Sequence, residues 1–324
     1  MTDGKKTIAV LTSGGDAPGM NAAIRAVVRA GLSGGYRVIG IERGYAGLLK
    51  EEFREMSSAG VSEIIQRGGT ILYTARSSEF MTEEGQKKAA DIVRKHGIDA
   101  VIVIGGDGSF RGALALSRQG VNVVGIPGTI DLDITCTDYT IGFDTAINTA
   151  MEAIDKIRDT SSSHERCSIV EVMGRSAGYI AITCGIATGA ENVLLPEVYD
   201  GDEQALVNRV IATRKAGKTH HLVINAEGVG HSASMAKRIE AATGVETRAT
   251  ILGYLQRGGS PTCRDRFIAT LMGIKAVETL ENGKSNRVIA YKEDKIVDFD
   301  IEEALSMEKT IPEEWTGVTK LLSR

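Results

Sequence analysis

The stretch AVIVIGGDGS, residues 100–109, decides the fold class. Its first five residues are apolar, as expected for a central strand that is covered on both faces, and they run directly into glycines around Asp107. Similar short runs rich in valine and isoleucine alternate with helical patterns elsewhere, which predicts a parallel α/β architecture. These runs are Ile8 to Leu11, Val38 to Ile41, Ala100 to Ile104, Val121 to Ile126, Ser168 to Val172, Val193 to Leu195 and Leu222 to Asn225.

Five segments between these runs carry apolar residues near the 3.6-residue period of a helix: Asn21 to Leu32, Glu83 to His96, Phe143 to Arg158, Gln204 to Ala216 and Ser234 to Ala242. Four strands lead into the glycine-bearing segments LTSGGDAPGMN, GGDGS, PGTIDLD and MGRSAG. Ligands of open parallel sheets bind outside the carboxyl ends of the strands. We therefore expect these segments to share one cleft.

Composition excludes several classes of protein. With 324 residues, two domains are expected, and a net charge of −4 gives no basic field for nucleic acid or an anionic membrane. No run approaches the roughly 18 apolar residues of a membrane helix, and the first apolar run is too short for a signal peptide. The four cysteines form no CxxC pair, which argues against a zinc site and a compact disulfide framework. We expect a cytoplasmic protein with reduced thiols.

The glycine segments and their acids predict phosphoryl transfer. In IGGDGS, residues 104–109, backbone glycines allow close approach to phosphate while Asp107 reaches a magnesium ion. In PGTIDLD, residues 127–133, Asp131 and Asp133 would point the same way if the segment is extended, so that one acts as base and the other on the metal. An acidic surface turn is the less favoured alternative.

Arginines recur in short glycine-rich contexts. Any one arginine is best explained as a solvated charge, but five arginines in short glycine-rich or polar contexts favour recognition of at least two phosphate groups. These are Arg76, Arg166, Arg175, Arg248 and Arg257. For Arg25 and Arg29, four apart on one predicted helix, the pattern favours a solvated face.

The motifs in their order resemble bacterial 6-phosphofructokinases over nearly the whole chain: LTSGGDAPGMN, IGGDGSFRG, PGTIDLD, IGFDTA, DTSSSHERCSIVEVMGRSAG, NAEG and GVETRATILGYLQRGGSP. GGDG turns also occur in NAD kinases and diacylglycerol-type lipid kinases, but the MGR and QRGGSP strings in this order are specific. The resemblance implies two similar three-layer α/β domains with mainly parallel sheets. An ATP-binding domain would comprise 1–142 plus 256–305, and a fructose 6-phosphate-binding domain 143–255 plus 306–324.

The resemblance also implies residue roles in the transfer from MgATP to the 1-hydroxyl of fructose 6-phosphate, the committed step of glycolysis. Asp131 would be the base, assisted by Thr129, with Arg76 and Arg175 stabilising charge and Asp107 and Asp133 serving magnesium. Positions around the nucleotide are Gly15, Tyr45, Arg76, Ser77, Gly106, Asp107, Gly108, Ser109 and Gly112. Positions around the sugar phosphate are Thr129, Ile130, Asp131, Arg166, Met173, Gly174, Arg175, Glu227, Arg248, Tyr254 and Arg257. Arg166 and Arg248 would reach across a subunit interface, since the family is typically homotetrameric.

The phosphoryl donor follows from two glycines. Pyrophosphate-using relatives carry aspartate and lysine at the positions of Gly108 and Gly128, so the resemblance implies ATP. Two departures bear on rate and affinity: Leu132 replaces the asparagine of the usual TIDND, and Tyr254 replaces a histidine. We expect Leu132→Asn to raise turnover. A weakly catalytic nucleotide or sugar-phosphate sensor, and a kinase of a related sugar such as tagatose 6-phosphate, remain open.

The effector site of the family, where ADP activates and phosphoenolpyruvate inhibits, is matched only in part. The matching positions are Arg25, Arg29, Arg158, Gly189, Glu191, Lys218 and His220. Ser58 and Ala216 stand where cationic side chains are common. Because each lost cation removes a charge-assisted contact to an anion, we expect a blunted effector response.

Overall fold

The computed structural model describes residues 5–322, which divide into two compact units. The first unit runs up to Thr145 and adds Arg257–Lys309. The second unit consists of Ala146–Gln256 and the residues from Thr310 onward. Each unit has a sheet of its own, so each is described separately.

Eleven strands lie within residues 5–322, and the seven predicted ones are confirmed to within two residues at either end. In chain order the strands are β1 (Thr7–Ser13), β2 (Arg37–Ile41), β3 (Phe53–Glu55), β4 (Ala100–Gly105), β5 (Asn122–Pro127), β6 (Cys167–Val172), β7 (Asn192–Leu194), β8 (His221–Ala226), β9 (Thr247–Ile251), β10 (Arg287–Lys292) and β11 (Lys295–Asp300).

The five predicted helices are also present among the described residues, and the one beginning at Phe143 continues beyond Arg158 to Ser163. The α-helices are α1 (Met20–Ser33), α2 (Gly44–Leu49), α3 (Glu83–Lys95), α4 (Asp107–Arg118), α5 (Phe143–Ser163), α6 (Tyr179–Thr188), α7 (Glu203–Lys215), α8 (Ser232–Thr243), α9 (Cys263–Glu281), α10 (Ile301–Ser306) and α11 (Glu313–Leu322). No helix in the described part of the chain is long and apolar enough to cross a membrane.

The sheet of the first unit has seven strands in the order β11-β10-β5-β4-β1-β2-β3. Its inner strands are parallel, and only the edge strands β3 and β11 run antiparallel to their neighbours. From β1 the chain adds β2 on one side and β4 on the other, so the strand order reverses between β1 and β4. Such a reversal is the point at which open α/β sheets bind ligands, beyond the carboxyl ends of the strands.

The sheet of the second unit has four strands, all parallel, in the order β7-β8-β6-β9. Its inner strands β6 and β8 are buried almost throughout, as expected for parallel strands that are covered on both faces. A mainly parallel α/β architecture built on two sheets is therefore confirmed.

Candidate active site

The loops after β1 and β4 meet at the strand-order reversal of the first unit. Ser13 and Gly105, the last residues of these strands, are paired in register. A Cβ on Gly105 would stand 2.4 Å from the carbonyl oxygen of Ser13 and 2.5 Å from Oγ of Ser109. Glycine at this position is what allows β1, β4 and the helix after β4 to come together.

The GGDG segment forms the start of a helix. Gly106 is the N-cap of α4 and Asp107 its first residue, so the expected glycine-rich turn is the amino-terminal turn of a 12-residue helix. The first N–H groups of a helix have no partner within it, and they carry the positive end of the helix dipole. This end of α4 therefore has the geometry of an anion site.

Asp107 forms an ion pair along α4. Its carboxylate accepts a hydrogen bond from Nε of Arg111 at 2.9 Å, and 39% of its side chain is exposed. Arg111 belongs to the GGDGSFRG motif. It can pair with Asp107 because α4 begins at Asp107, which places the two residues four apart on one face of the helix.

Tyr45 supports this turn from the core. Its ring is buried and stacks on Phe80 at 4.0 Å, and its hydroxyl donates to the carbonyl of Ser109 at 2.6 Å. A Cβ on Gly112 would lie 2.7 Å from the same ring. Burial raises the pKa of the Tyr45 phenol far above its usual value, so this hydroxyl stays a donor. Tyr45 and Gly112 therefore fix the position of α4: the tyrosine bonds to its first turn, and the glycine lets the helix lie against the ring.

The segment that carries Arg76 and Ser77 is fastened to the loop after β1. The Thr74 hydroxyl donates to the carbonyl of Gly14 at 2.7 Å, and the Thr12 hydroxyl donates to the carbonyl of Tyr73, also at 2.7 Å. Arg76 itself is exposed. Residues 73–77 thus lie beside the same loop that contains Gly15.

The acid loop, which we define as residues 129–138, follows β5 and turns sharply. The predicted extended conformation of this segment is wrong: Leu132 has φ of 56°, and the Asp131 N–H donates to Oγ1 of Thr129 at 3.2 Å. Pairing with the sheet ends at Gly128, after which the threonine hydroxyl captures the next free amide and closes a turn. Strand alternation therefore does not align Asp131 with Asp133.

Burial and proximity distinguish the acids of this loop. Asp131 is only 4% exposed, while Asp133 is partly exposed. Thr129 lies beside α4, because a Cβ on Gly106 would be 3.8 Å from Cβ of Thr129. The acid loop and the anion site of α4 are thus neighbours within the first unit.

Two basic residues that come late in the chain join the first unit here. The guanidinium carbon of Arg257 lies 3.0 Å from where a Cβ would stand on Gly15. Nζ of Lys309 donates to the carbonyl oxygens of Leu132 and Thr137, each at 2.9 Å. The QRGGSP context of Arg257 favours a phosphate contact, whereas nothing in the sequence near Lys309 points to the acid loop.

In the second unit, the loop after β6 is held by Glu227, which follows β8. The N–H groups of Gly174 and Arg175 both donate to Oε1 of Glu227, at 3.2 and 2.6 Å. Gly174 has φ of 139°, a conformation that favours glycine, and the Arg175 side chain is exposed. The Met173 N–H donates to Gln256 at 3.2 Å, so the predicted sugar-phosphate residues 173–175 and Glu227 form one cluster.

Arg166 and Arg248 meet at the opposite end of the same sheet. Both pair with Glu246, Nε of Arg166 at 2.8 Å and Nη2 of Arg248 at 2.6 Å, and Arg166 is the main reason that the pKa of Glu246 lies below its usual value. Arg166 precedes β6 and Met173 follows it, which separates them by roughly 20 Å along the strand. Within the second unit, these arginines do not join the cluster around Glu227. Tyr254, the remaining sugar-site candidate of this unit, is 79% exposed.

Four of the predicted effector residues are also close together in the second unit. Arg158 donates to the carbonyl of Thr188, next to Gly189, and Lys218 pairs with Glu191, whose other carboxylate oxygen accepts from the Leu222 N–H at 2.6 Å. His220 directly precedes β8. Arg25 and Arg29 belong to α1 of the first unit, where Arg29 is exposed and Arg25 partly buried.

Comparison with known proteins decides the family. Residues 7–280 match the family described as Phosphofructokinase, and an ATP-dependent 6-phosphofructokinase of Clostridium botulinum is 58% identical over 320 residues, covering 98% of this chain and 100% of the relative. The chain belongs to the phosphofructokinase family. An ATP-dependent 6-phosphofructokinase of Clostridium tetani is likewise 58% identical over 319 residues, covering 98% of this phosphofructokinase and 99% of the relative. The crystal structure of Pichia pastoris phosphofructokinase in the T-state matches with a TM-score of 0.88 at 35% identity, covering 100% of this phosphofructokinase and 37% of the yeast chain.

Asp107 and Asp133 are carboxylates, a ligand type that magnesium accepts in proteins. Both side chains are partly exposed, and Asp107 is paired with Arg111. Magnesium typically takes one or two carboxylates along with waters and substrate phosphates. Among the described residues, no group of three or more His, Cys, Asp or Glu is arranged to hold a metal.

Proposed function

We propose that this phosphofructokinase transfers the γ-phosphoryl group of MgATP to the 1-hydroxyl of fructose 6-phosphate, giving fructose 1,6-bisphosphate and ADP. The observation that carries the proposal is the meeting of the helix start at Asp107 with the acid loop at Thr129. The names and near-complete coverage of the clostridial relatives specify the reaction. As a glycolytic enzyme it would work in the cytoplasm.

In this proposal the first unit holds ATP. The phosphates lie against the N–H groups at the start of α4, and Arg76 and Ser77 contact them from the segment fastened to Gly14. Gly15 lies in the loop beside that segment, where the Arg257 guanidinium occupies the space next to it, whereas Gly108 leaves room for the nucleotide. Gly108 is exposed, and no atom lies within 4 Å of where its Cβ would be. Together with Gly128 it favours ATP over pyrophosphate as the donor.

Asp131 accepts the proton of the sugar hydroxyl, and Thr129 orients the transferred group. Burial of Asp131 limits the access of water to this carboxylate, and the turn closed at Thr129 fixes the backbone that carries it. Phosphoryl transfer demands mainly positioning and electrostatic stabilisation, which Arg76 and Arg175 provide by their charge. Asp107 and Asp133 hold the magnesium ion, which when bound neutralises charge on the phosphates.

The second unit holds the sugar phosphate through the cluster of Met173, Gly174, Arg175 and Glu227. Arg166 and Arg248, at the far end of the same sheet, act on the 6-phosphate bound by another copy of the chain. A homotetramer satisfies this requirement. Apolar side chains on the surface of both units offer area for such contacts, namely Ile251, Tyr254 and Leu255 and, on α9, Phe267, Leu271 and Ile274.

Mixed assemblies test the shared site. Asp131→Asn and Arg248→Ala should each be nearly inactive alone, because they remove the base and a 6-phosphate contact. Dissociating and reassembling the two together should restore activity, since some sites then combine an intact Asp131 with an intact Arg248 from different chains. A mixture with no more activity than its parents, in assemblies verified as hybrid by mass, contradicts the shared site.

Effector control through ADP and phosphoenolpyruvate is part of the proposal, with a weakened response. Lys218 and Arg158 supply cations, but Lys218 is already paired with Glu191, and Ser58 and Ala216 contribute none. Phosphoenolpyruvate should therefore inhibit only weakly at subsaturating fructose 6-phosphate. Strong inhibition in that titration would overturn this expectation.

A substrate panel tests the function itself. A coupled assay should detect fructose 1,6-bisphosphate from ATP and fructose 6-phosphate, with higher catalytic efficiency than for tagatose 6-phosphate. Binding of both ligands without turnover would indicate a sensor. A preference for tagatose 6-phosphate would reassign the substrate. Removal of magnesium with a chelator should abolish the turnover of either sugar phosphate.

A further inference from the structure

Lys309 reaches the acid loop from the end of the first unit, 177 positions later in the sequence than Leu132. Its ammonium group donates to the carbonyl oxygens of Leu132 and Thr137, and the two bonds span most of the loop between them. Burial is the main reason that the pKa of Lys309 is lowered to about 8, and Lys292 acts in the same direction. Asp138 and Asp133 oppose this effect. A lysine placed in such surroundings must gain contacts that offset its desolvation.

The residue held by Lys309 has an unfavourable backbone conformation. Leu132 has φ of 56°, in the left-handed region, where a side chain crowds the following carbonyl. Glycine escapes this cost and asparagine tolerates it better than leucine. Leu132 is also buried, at 6% exposure, so this leucine keeps its contacts only if the turn is held in place.

We propose that Lys309 is a positioning residue for phosphoryl transfer, which holds the acid loop in the turned conformation that presents Asp131. The inference rests on the proposed role of Asp131 as base. Lys309 acts through the backbone: its two hydrogen bonds fix the carbonyls on either side of Asp133, so that the turn begun by Thr129 is closed from the other end. Leucine at position 132 makes this restraint more important than asparagine would.

Replacement of Lys309 by methionine tests the restraint. Methionine keeps the length and apolar stem of lysine and removes its donors. Since a small displacement of a reacting group costs up to about 100-fold in rate, we expect kcat to fall by about 30-fold, with KM for ATP and for fructose 6-phosphate each within about threefold. Lys309→Arg, which retains a cation with several donors, should recover at least a third of the parent kcat.

Lys292→Met is the matched control for charge. Lys292 pairs with Asp138 at 2.7 Å, and its charge contributes to the lowered pKa of Lys309, but it donates to a carboxylate side chain of the acid loop rather than to a backbone carbonyl. Its kcat should stay within twofold of the parent. A Lys309→Met enzyme that matches Lys292→Met in kcat would overturn the proposal, because local charge alone would then explain the effect.

A double variant of Lys309 and Leu132 distinguishes positioning of the acid loop from a general effect on protein stability. Leu132→Asn should by itself raise kcat, and in its background Lys309→Met should cost less than about fivefold. Equal losses in the two backgrounds would refute the proposed link. Hydrogen exchange of the peptide covering 128–139 gives a readout independent of activity, and it should accelerate about tenfold in Lys309→Met but not in Lys292→Met.

Failure of this inference is distinguishable from failure of the proposed function. If the parent enzyme does not phosphorylate fructose 6-phosphate, the function fails, while exchange in the acid loop still reports on Lys309. If Lys309→Met does not accumulate as folded protein, Lys309→Gln takes its place with an expected loss of about threefold in kcat. Unchanged kcat and unchanged exchange in that variant would equally overturn the proposal.

Discussion

Gly108→Asp is the sharpest test of how the first unit selects its phosphoryl donor. Gly108 is the second residue of α4, its Cβ position has no atom within 4 Å, and the residue is exposed. Aspartate is a slightly better helix former than glycine, by about 0.3 kcal/mol. A carboxylate in the first turn gains roughly a further 0.5 kcal/mol from the helix dipole. We therefore expect the variant to fold, with a Tm equal to the parent or higher by about 2 to 4 °C.

The effect on ATP should be large, because the same dipole that favours the new carboxylate is proposed to bind phosphates. Two unit charges about 6 Å apart repel by about 3 kcal/mol at an effective dielectric constant of about 20. That energy corresponds to about a 100-fold rise in KM for ATP. The candidate sugar-phosphate residues 173–175 and Glu227 belong to the second unit, so KM for fructose 6-phosphate should change by less than about threefold.

Initial rates at varied ATP and saturating fructose 6-phosphate provide the measurement. Gly108→Asn is the matched control, since it has nearly the same volume without the charge, and Gly108→Ala measures the effect of a Cβ alone. If repulsion is the cause, Gly108→Asn should lose less than about tenfold, and 1 M salt should reduce the defect of Gly108→Asp. An ATP KM and kcat that Gly108→Asp leaves unchanged would refute the assignment of this turn to the nucleotide.

Two further predictions concern stability. Asp265 is fully buried and accepts four hydrogen bonds from residues 139–145, so Asp265→Asn, which replaces an acceptor with a donor, should cost about 3 kcal/mol and lower Tm by roughly 10 °C in a thermal melt. Burial raises the pKa of Cys167 and of Cys184 to about 12, so the folded state keeps these protons longer than the unfolded state does. The two thiols therefore contribute fully to the free energy of unfolding below about pH 9. Above that pH the contribution falls by about 1 kcal/mol per pH unit for each thiol. The stability measured by urea denaturation between about pH 9 and 10 should accordingly depend less on pH in Cys184→Ala.

The parts of the fold that the sequence predicted are those with a strong local period. All seven predicted strands are short runs rich in valine, isoleucine and leucine, and most of them are buried almost throughout. Among the helices that were not predicted, α4 begins with Asp-Gly-Ser and reads as a turn, while α6 is apolar on nearly every side and has no amphipathic period to detect. Edge strands β3 and β11 carry charged residues and pair with one neighbouring strand each, so their place depends on the sheet they join.

The residues of the candidate site likewise fall into those with a local sequence pattern and those that depend on tertiary contacts. Residues next to glycines at strand ends, such as Asp107 and Gly174, are recognisable because the backbone there must approach a ligand or bend. Lys309 and Asp265 are not recognisable in this way, since their partners lie more than 100 positions away in the sequence. Their importance arises from tertiary contacts that no local pattern encodes.

Leu132 illustrates how a departure in sequence acquires a different meaning once the backbone is known. From the sequence, leucine in place of asparagine is the loss of an amide that could orient two acids. The structure adds that the position needs a left-handed conformation, in which asparagine is favoured for its backbone as well as its side chain. Leucine is retained there by burial and by the hydrogen bond from Lys309 to its carbonyl. The effect of residue 132 on rate therefore cannot be assigned to its side chain alone, and it should be measured with Lys309 both present and absent.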